Sequence, residues 1–287
     1  MRAKLLLGLA AASLGLILIE GFLRRYPPAP IYMVTRAIIQ RGASEPIVHP
    51  ILGYVPRANL TIPFGNLEFS TTVTINSKNM RDAEYALAKP PGTRRIVAVG
   101  DSFVFGWGVE DPERATELLE HRHLKSVEVL NLGVSGYSAE EALAWLKVRG
   151  LAYRPDIVLF FTLGLPTSAR QKYAFEDGTL YWADALERSP LRRLKGRLTR
   201  GVYAAALADW AVHAAFARGG PEPAIESWDE AILKDLGDLA QTNGFKPVIV
   251  FCPDKDERLA PRPDELEAAC RRYGLGFLDL TPVLPDS

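Results

Sequence analysis

The sequence predicts a three-layer, doubly wound α/β domain built on a parallel sheet of about five strands. Apolar strand candidates alternate with helical patterns from Arg94 onward: RIVAVG, VEVLNLG, DIVLFFTLG, KPVIVFC and LGFLDL. Four of these runs carry too few polar residues for a strand with one solvent-facing side, so both faces of the sheet are expected to be covered. Helical patterns near 113–121, 138–149, 226–243 and 263–273 supply the covering layers.

Composition narrows the classes of partner and cofactor. The chain has 287 residues, and its 34 basic residues balance 34 acidic ones, so nothing indicates a nucleic-acid partner. Its two cysteines, Cys252 and Cys270, are too few for a disulfide scaffold and lack metal-ligand spacing. We expect unpaired buried thiols, with a single disulfide as the alternative. No metal and no organic cofactor is predicted.

The N-terminus, residues 1–25, has the pattern of a membrane-targeting segment. A basic start precedes an apolar run from Leu5 to Ile19, which Glu20 interrupts before Arg24 and Arg25 close it. The bulky, Pro-rich sequence that follows offers no small-residue cleavage site, which favours an uncleaved transmembrane signal-anchor. A cleaved signal peptide and a buried helix are the alternatives. Basic residues on both flanks leave the orientation open.

The predicted α/β domain spans residues 93–287. One further region precedes this domain, and another is inserted within it. Residues 26–92 are interpreted as a juxtamembrane linker, helical from about 32 to 40, and an antiparallel β ribbon that reverses at Gly65-Asn66. Residues 167–222 are interpreted as an insertion in the position of a lid, with a turn at Asp177-Gly178. Its basic, apolar stretch fits either contact with a membrane surface or a solvated helix.

Chemistry is expected where the strands end, because ligands of parallel α/β sheets bind beyond the carboxyl ends of the strands. The first strand ends at Gly100, followed by Asp101 and Ser102. The second ends in NLGVSGYS, where Asn131 can tie the two loops together and Gly136 allows close approach of a substrate. Gly-rich strand ends at two successive strands indicate a site more specifically than either one alone.

The stretches VAVGDSFVFGWGVE and NLGVSGYSAEEAL resemble the first two sequence blocks of the SGNH (GDSL-type) hydrolases. TINSKNMRD and the N-terminal apolar helix resemble a membrane-anchored bacterial branch of that family. The resemblance implies a flavodoxin-like fold, Ser102 as nucleophile, and an oxyanion hole made by the backbone N–H groups of Ser102 and Gly136, with Asp101 and Asn131 in support. It also implies an extracytoplasmic (periplasmic) domain whose substrate is an ester-bearing small molecule, lipid or polysaccharide.

Two family features differ in this sequence. Leu165 and Pro166 stand where the third block would place an Asn that donates to the oxyanion, and Thr167 or Ser168 could supply a hydroxyl instead. The fourth block, Asp-x-x-His, does not occur in the sequence, so we expect a C-terminal segment that carries it to be missing from this chain.

The four histidines offer no obvious replacement for the base of a catalytic triad. His121 and His123 are expected at a solvated helix end, and His49 belongs to the linker. His213 follows Asp209 by four residues on a predicted helix, so the carboxylate could orient it. Two alternatives to an active ester hydrolase or O-acyltransferase therefore stay open. One is an inactive domain that binds a glycan, lipid or partner protein; in the other, Ser102 merely caps a helix.

Overall fold

The computed structural model describes most of the α/β domain and parts of the remaining chain. The described residues are 2–26, 47–65, 69–162, 173–176, 179–182, 207–208, 230–252 and 263–283. The chain divides into two compact units, residues 1–41 with 176–222 and residues 42–175 with 223–287. The second unit contains the sheet and every described candidate site residue.

A parallel five-stranded sheet forms the centre of this unit, as the sequence predicts. Its strands are β5 (Arg94–Gly100), β6 (Val127–Gly133), β7 (Ile157–Thr162), β10 (Lys246–Phe251) and β11 (Gly276–Asp279). They lie side by side in the order β11-β10-β7-β5-β6. The direction of winding therefore reverses between β5 and β7, which is the flavodoxin-like order and defines a topological switch point.

Helices cover the two faces of this sheet. The helices are α2 (Ser102–Phe105), α3 (Ala115–Leu118), α4 (Ala139–Val148), α5 (Glu230–Asn243) and α6 (Pro263–Arg272). Because crossovers between parallel strands are right-handed, the reversal at the switch point sets α3 on one face and α4, α5 and α6 on the other. Trp145 and Leu146 of α4 are fully buried against the sheet. Shorter helical turns are Asp111–Glu113, Leu119–His123, Gly150–Tyr153 and Thr281–Val283.

Two antiparallel hairpins precede the sheet. Strands β3 (Leu60–Gly65) and β4 (Ser70–Ile75) form the predicted ribbon, with Leu60 opposite Ile75. Its apolar side packs on the segment after Ser102, because Phe64 and Val73 share a buried cluster with Phe105. Strands β1 (Ile47–His49) and β2 (Gly53–Val55) form a second hairpin that the sequence did not predict. Three-residue strands are too short to show an alternating pattern.

Helix α1 (Arg2–Arg25) occupies the predicted signal-anchor segment. Its side chains are described for residue 11 and from residue 13 onward. Counted over the described residues, no helix is both long and apolar enough to cross a membrane. The signal-anchor stays a prediction.

Several predicted features lie outside the described residues. They are the helix at 32–40, the Asn66 side of the ribbon reversal, the Asp177-Gly178 turn and most of the insertion. Strands β8 (Tyr173–Glu176) and β9 (Thr179–Trp182) flank that turn.

Both cysteines are buried and free, as expected. Burial raises the pKa of the Cys270 thiol to about 12 and that of Cys252 to about 11, and the nearby charge of Asp101 adds to the shift at Cys252. Both thiols therefore remain protonated, and unreactive as nucleophiles, near neutral pH.

Candidate active site

Ser102 lies at the topological switch point, directly after the carboxyl end of β5. The adjoining strands are packed tightly there: a Cβ added to Gly100 would lie 3.0 Å from Cβ of Phe161 in β7. Open α/β sheets bind their ligands in the crevice at this place, because the loops on either side of it diverge. The fold thus puts the predicted nucleophile where a ligand is most expected.

Helix α2 begins at Ser102 but is capped by its neighbour. The carboxylate of Asp101 accepts the Phe103 N–H at 2.9 Å, so Asp101 is the N-cap residue and Ser102 is the first residue of the helix. The interpretation of Ser102 as a helix cap is therefore wrong. Burial raises the pKa of Asp101, which accepts this bond near the carboxyl edge of the sheet. Within the part of the chain that the structure describes, the Ser102 hydroxyl has no hydrogen-bond partner.

Asn131 connects the two strand-end loops. Its Nδ2 donates to the Val104 carbonyl in α2 at 2.7 Å, and its Oδ1 accepts the N–H of Gly133 at 2.9 Å. A second backbone bond, from Val134 N to the Gly100 oxygen at 3.1 Å, runs between the same loops. Asn131 is fully buried, so these bonds form away from competing water. The loops after β5 and β6 are held as one piece.

Two glycines shape the loop after β6. Gly133 packs directly on α2, since an added Cβ would meet the backbone nitrogen of Phe105 and lie 2.8 Å from its Cα. Gly136, the predicted second oxyanion donor, is exposed and has φ +84°, a conformation that glycine adopts at little cost. Glycine at 133 therefore permits contact between the loops, and glycine at 136 permits the turn itself.

The hairpin β1–β2 holds the loop that carries Gly136. The Tyr54 hydroxyl donates to the Ser135 carbonyl at 2.6 Å, and the Tyr137 hydroxyl donates back to the Tyr54 carbonyl. The two rings meet edge to face with centroids 5.3 Å apart. This pairing fixes the residues on both sides of Gly136.

A buried charged group lies behind the loops. The Asp82 carboxylate accepts the Asn131 N–H at 2.6 Å and lies 3.5 Å from the Arg114 guanidinium, which also pairs with Glu117 at 2.9 Å. Burial raises the pKa of Asp82 to about 7, although Arg114 and the N–H of Asn131 pull it down. Arg114 also donates to the Arg81 carbonyl. Residues 81 and 82 thus tie the segment before β5 to both loops.

The described histidines are engaged elsewhere. His49 ends β1, and its Nδ1 accepts the N–H groups of Ile51 and Leu52, both at 3.3 Å. Burial, with the charge of Arg149, lowers its pKa. His121 is exposed and lies 3.1 Å from Glu117, and His123 is exposed at the same helix end.

Other predicted positions cannot be placed in this site. His213 and Asp209, like the third-block positions Leu165, Pro166, Thr167 and Ser168, lie outside the described residues. Among the described residues, no three His, Cys, Asp or Glu side chains group as a metal ion would require.

Sequence reasoning predicted Asp101, Ser102, Asn131 and Gly136 as site residues, but it did not predict the buried charged groups that hold the loops around them. Arg81, Asp82 and Arg114 are each 6% exposed or less. The stretch TINSKNMRD contains Arg81 and Asp82, but its resemblance to a family motif gives neither residue a physical role, and no sequence pattern indicates Arg114.

No protein-family model and no curated protein sequence matches the chain significantly. Solved structures do match. A candidate lipolytic protein of the G-D-S-L family from Desulfitobacterium hafniense is 19% identical at TM-score 0.38, over 68% of this chain and 82% of that one. A lipase/acylhydrolase from Enterococcus faecalis is 18% identical at TM-score 0.35, over 67% and 78%. A GDSL-like lipase from Bacteroides thetaiotaomicron is 10% identical at TM-score 0.33, over 70% and 75%. Likeness at these levels does not assign a family or an activity to this chain.

Proposed function

We propose that this protein cleaves or transfers ester-linked acyl groups, with Ser102 as the nucleophile. The observation that carries the proposal is the place of Ser102. It stands at the switch point, with an unpartnered hydroxyl among the described residues, on a turn fixed by buried hydrogen bonds.

The reaction that fits this geometry proceeds through an acyl-enzyme. Ser102 Oγ attacks the ester carbonyl carbon and gives up its proton, and the carbonyl oxygen becomes an oxyanion. The backbone N–H groups of Ser102 and Gly136 are the proposed donors to that oxyanion, a contribution typically worth roughly 10² to 10³ in rate per donor. The intermediate then collapses, the alcohol leaves with a proton, and water or an acceptor hydroxyl takes the acyl group from Ser102.

The proton of Ser102 needs an acceptor, because a serine hydroxyl is a poor nucleophile at neutral pH. His49 and His121 bind other groups. His121 and His123 also end the helical turn that precedes β6, at the amino edge of the sheet and away from Ser102, so none of the three fits this role. Asp101 is adjacent, but its carboxylate accepts the Phe103 N–H. We therefore assign the base to a residue outside the described part of the domain.

Membrane attachment through α1 is part of the proposal. The apolar residues of α1 that are 51% to 66% exposed include Leu14, Leu16, Ile17, Leu18 and Ile19. At about 100° per residue these side chains point to all sides of the helix. An apolar surface on all sides of a helix suits a membrane better than water. An extracytoplasmic domain next to such an anchor would act on envelope-associated esters, either lipid or acylated polysaccharide, or on small ester molecules that diffuse to it.

Hydrolysis of short-chain aryl esters by the full chain in detergent tests the proposal. The expected result is turnover by the wild type and none above background by Ser102→Ala, with the same circular dichroism spectrum for both. Equal turnover by the two proteins would show that Ser102 is not the nucleophile.

A binding domain without catalysis is the second candidate function, and Leu165-Pro166 in place of the family's donor Asn favours it. Proline has no N–H to replace the missing donor. This candidate predicts retention of an acylated glycan or lipid on the protein with no ester cleavage, and equal retention by Ser102→Ala.

A further inference from the structure

We propose that Arg81, which lies outside both strand-end loops, is a positioning residue for Ser102. The inference rests on the proposed function and deepens it. Arg81 is fully buried, and its guanidinium binds the backbone of the segment that follows Ser102. Through that segment it sets the direction of the nucleophile-bearing turn.

Helix α2 contains only four residues. A helix of four residues cannot sustain itself in isolation, because nucleation of a helix costs more than one turn of hydrogen bonds returns. Its last carbonyl groups, which no following helical turn can satisfy, must therefore find other partners. Each of the four carbonyls of α2 accepts at least one hydrogen bond.

The four carbonyls divide between local and distant donors. The Ser102 oxygen accepts from Gly106 N at 3.1 Å and Trp107 N at 3.0 Å, and the Phe103 oxygen accepts from Gly106 N at 3.3 Å. The Val104 oxygen accepts from Asn131, and the Phe105 oxygen accepts from Arg81 Nη1 at 3.3 Å. Two of the four carbonyls are thus held by buried side chains, that of Val104 by Asn131 and that of Phe105 by Arg81.

Arg81 also binds residues that follow α2 in the sequence. Its Nη1 also donates to the Gly106 carbonyl, and its Nη2 donates to the Val109 carbonyl at 2.7 Å. Its Nε pairs with Asp111 at 2.9 Å, which leaves the buried charge compensated. One planar guanidinium therefore fixes three carbonyls and a carboxylate between positions 105 and 111. We call this set of bonds from the planar guanidinium the Arg81 fork. The compact ammonium of lysine cannot reproduce it.

Arg81 would affect the reaction through the position of Ser102. Ser102 is the first residue of the turn whose last carbonyl Arg81 holds, so loss of the fork frees the turn to rotate about the Asn131 contact. Displacements of about 1 Å at a nucleophile can lower the rate about 10²-fold. A structural arginine elsewhere in the domain would lower stability without this effect.

The chain contains a matched control in Arg95. It too is fully buried, donates to three carbonyls, those of Ala86, Leu87 and Tyr153, and pairs with Glu128. Arg95 is the second residue of β5 and lies five residues before Gly100, the last residue of that strand at the carboxyl edge of the sheet. Arg81 also donates to the Thr72 carbonyl at 3.3 Å, so the two guanidiniums differ by one hydrogen bond to a carbonyl. Arg81→Lys and Arg95→Lys therefore remove similar sets of bonds, one near the carboxyl end of β5 and one near its amino end.

The experiment compares the two variants of the full chain by two measurements. The first is the rate at which a fluorophosphonate probe modifies Ser102, together with kcat and KM for an aryl ester. The second is amide hydrogen exchange over residues 102–109. We expect Arg81→Lys to slow Ser102 modification by about tenfold or more, to lower kcat with little change in KM, and to speed exchange at 102–109. Arg95→Lys should leave the modification rate, kcat, KM and the exchange at 102–109 unchanged. This should hold even if its urea unfolding midpoint falls as much as that of Arg81→Lys.

Three outcomes would overturn the inference: an unchanged modification rate in Arg81→Lys, an equal loss in Arg95→Lys, or unchanged exchange at 102–109. If the wild type itself is not modified, the proposed function fails instead. The exchange data alone then decide whether Arg81 fixes the turn.

Discussion

The side-chain amide of Asn131 donates to the Val104 carbonyl across 2.7 Å and so joins the end of β6 to the turn that begins at Ser102. The Asn131 side chain also accepts the Gly133 N–H, and the backbone N–H of Asn131 donates to the Asp82 carboxylate. A single buried residue therefore holds both loops of the candidate site and connects them to the segment before β5.

Asn131→Ala should lower the free energy of unfolding by roughly 2 to 4 kcal/mol, because it leaves the Val104 oxygen and the Gly133 N–H buried and unpaired. Asn131→Asp keeps the acceptor for Gly133 but loses the donor and adds a carboxylate near Asp82, so it should be at least as destabilising at pH 7. Urea unfolding measures both. A loss below about 1 kcal/mol in Asn131→Ala would show that these bonds contribute little.

Gly133→Ala should destabilise the protein by about 3 kcal/mol or more, since the new Cβ meets backbone atoms of Phe105 that cannot rotate away. Gly274→Ala is the control. Gly274 has φ +69° with no atom within 4 Å of an added Cβ, so only the conformational cost of roughly 1 to 2 kcal/mol applies. Similar losses in the two variants, compared by denaturant unfolding, would contradict the close packing of the loop on α2.

Asp101→Ala should cost about 1 kcal/mol of stability as the loss of a helix N-cap. Asp101→Asn should retain most of it, because the amide oxygen can accept the Phe103 N–H. Ser102→Ala should change stability by less than about 0.5 kcal/mol, since Ser102 does not cap the helix. Thermal unfolding of the three variants checks this order. A larger loss of stability in Ser102→Ala than in Asp101→Ala would show that Ser102 has a structural role.

Stability should depend on pH through Asp82. Its pKa is raised to about 7 in the folded protein, against about 3.9 in an unfolded chain. The folded state therefore binds the proton more tightly, and the resulting stabilisation is complete below pH 4 and is lost as the pH rises through 7. Between pH 5 and pH 8 the wild type should lose roughly 2 to 3 kcal/mol more than Asp82→Asn. Parallel unfolding curves for the two proteins over this range would refute the shift.

The sheet was predictable because each buried strand is a short apolar run, and the ends of β5 and β6 could be located from Gly100 and Gly133. Asp101 and Ser102 were predicted as candidates from their place after the first run, and Asn131 from its place near the end of the second. Arg81 and Arg114 could not be found in this way, since a charged residue in a loop resembles a solvated one until tertiary contacts bury it. Tyr54 was missed for a related reason: its partner, Ser135, is 81 residues away along the chain.

The most direct measurement is the mass of the tryptic peptide 96–114 after the full chain reacts with a fluorophosphonate. Ser102 is the only hydroxyl residue in that peptide, so the modified residue is identified by mass alone. Our account predicts one adduct on this peptide and none on the Ser102→Ala protein. A folded wild-type chain whose peptide 96–114 carries no adduct would contradict the assignment of Ser102 as the nucleophile.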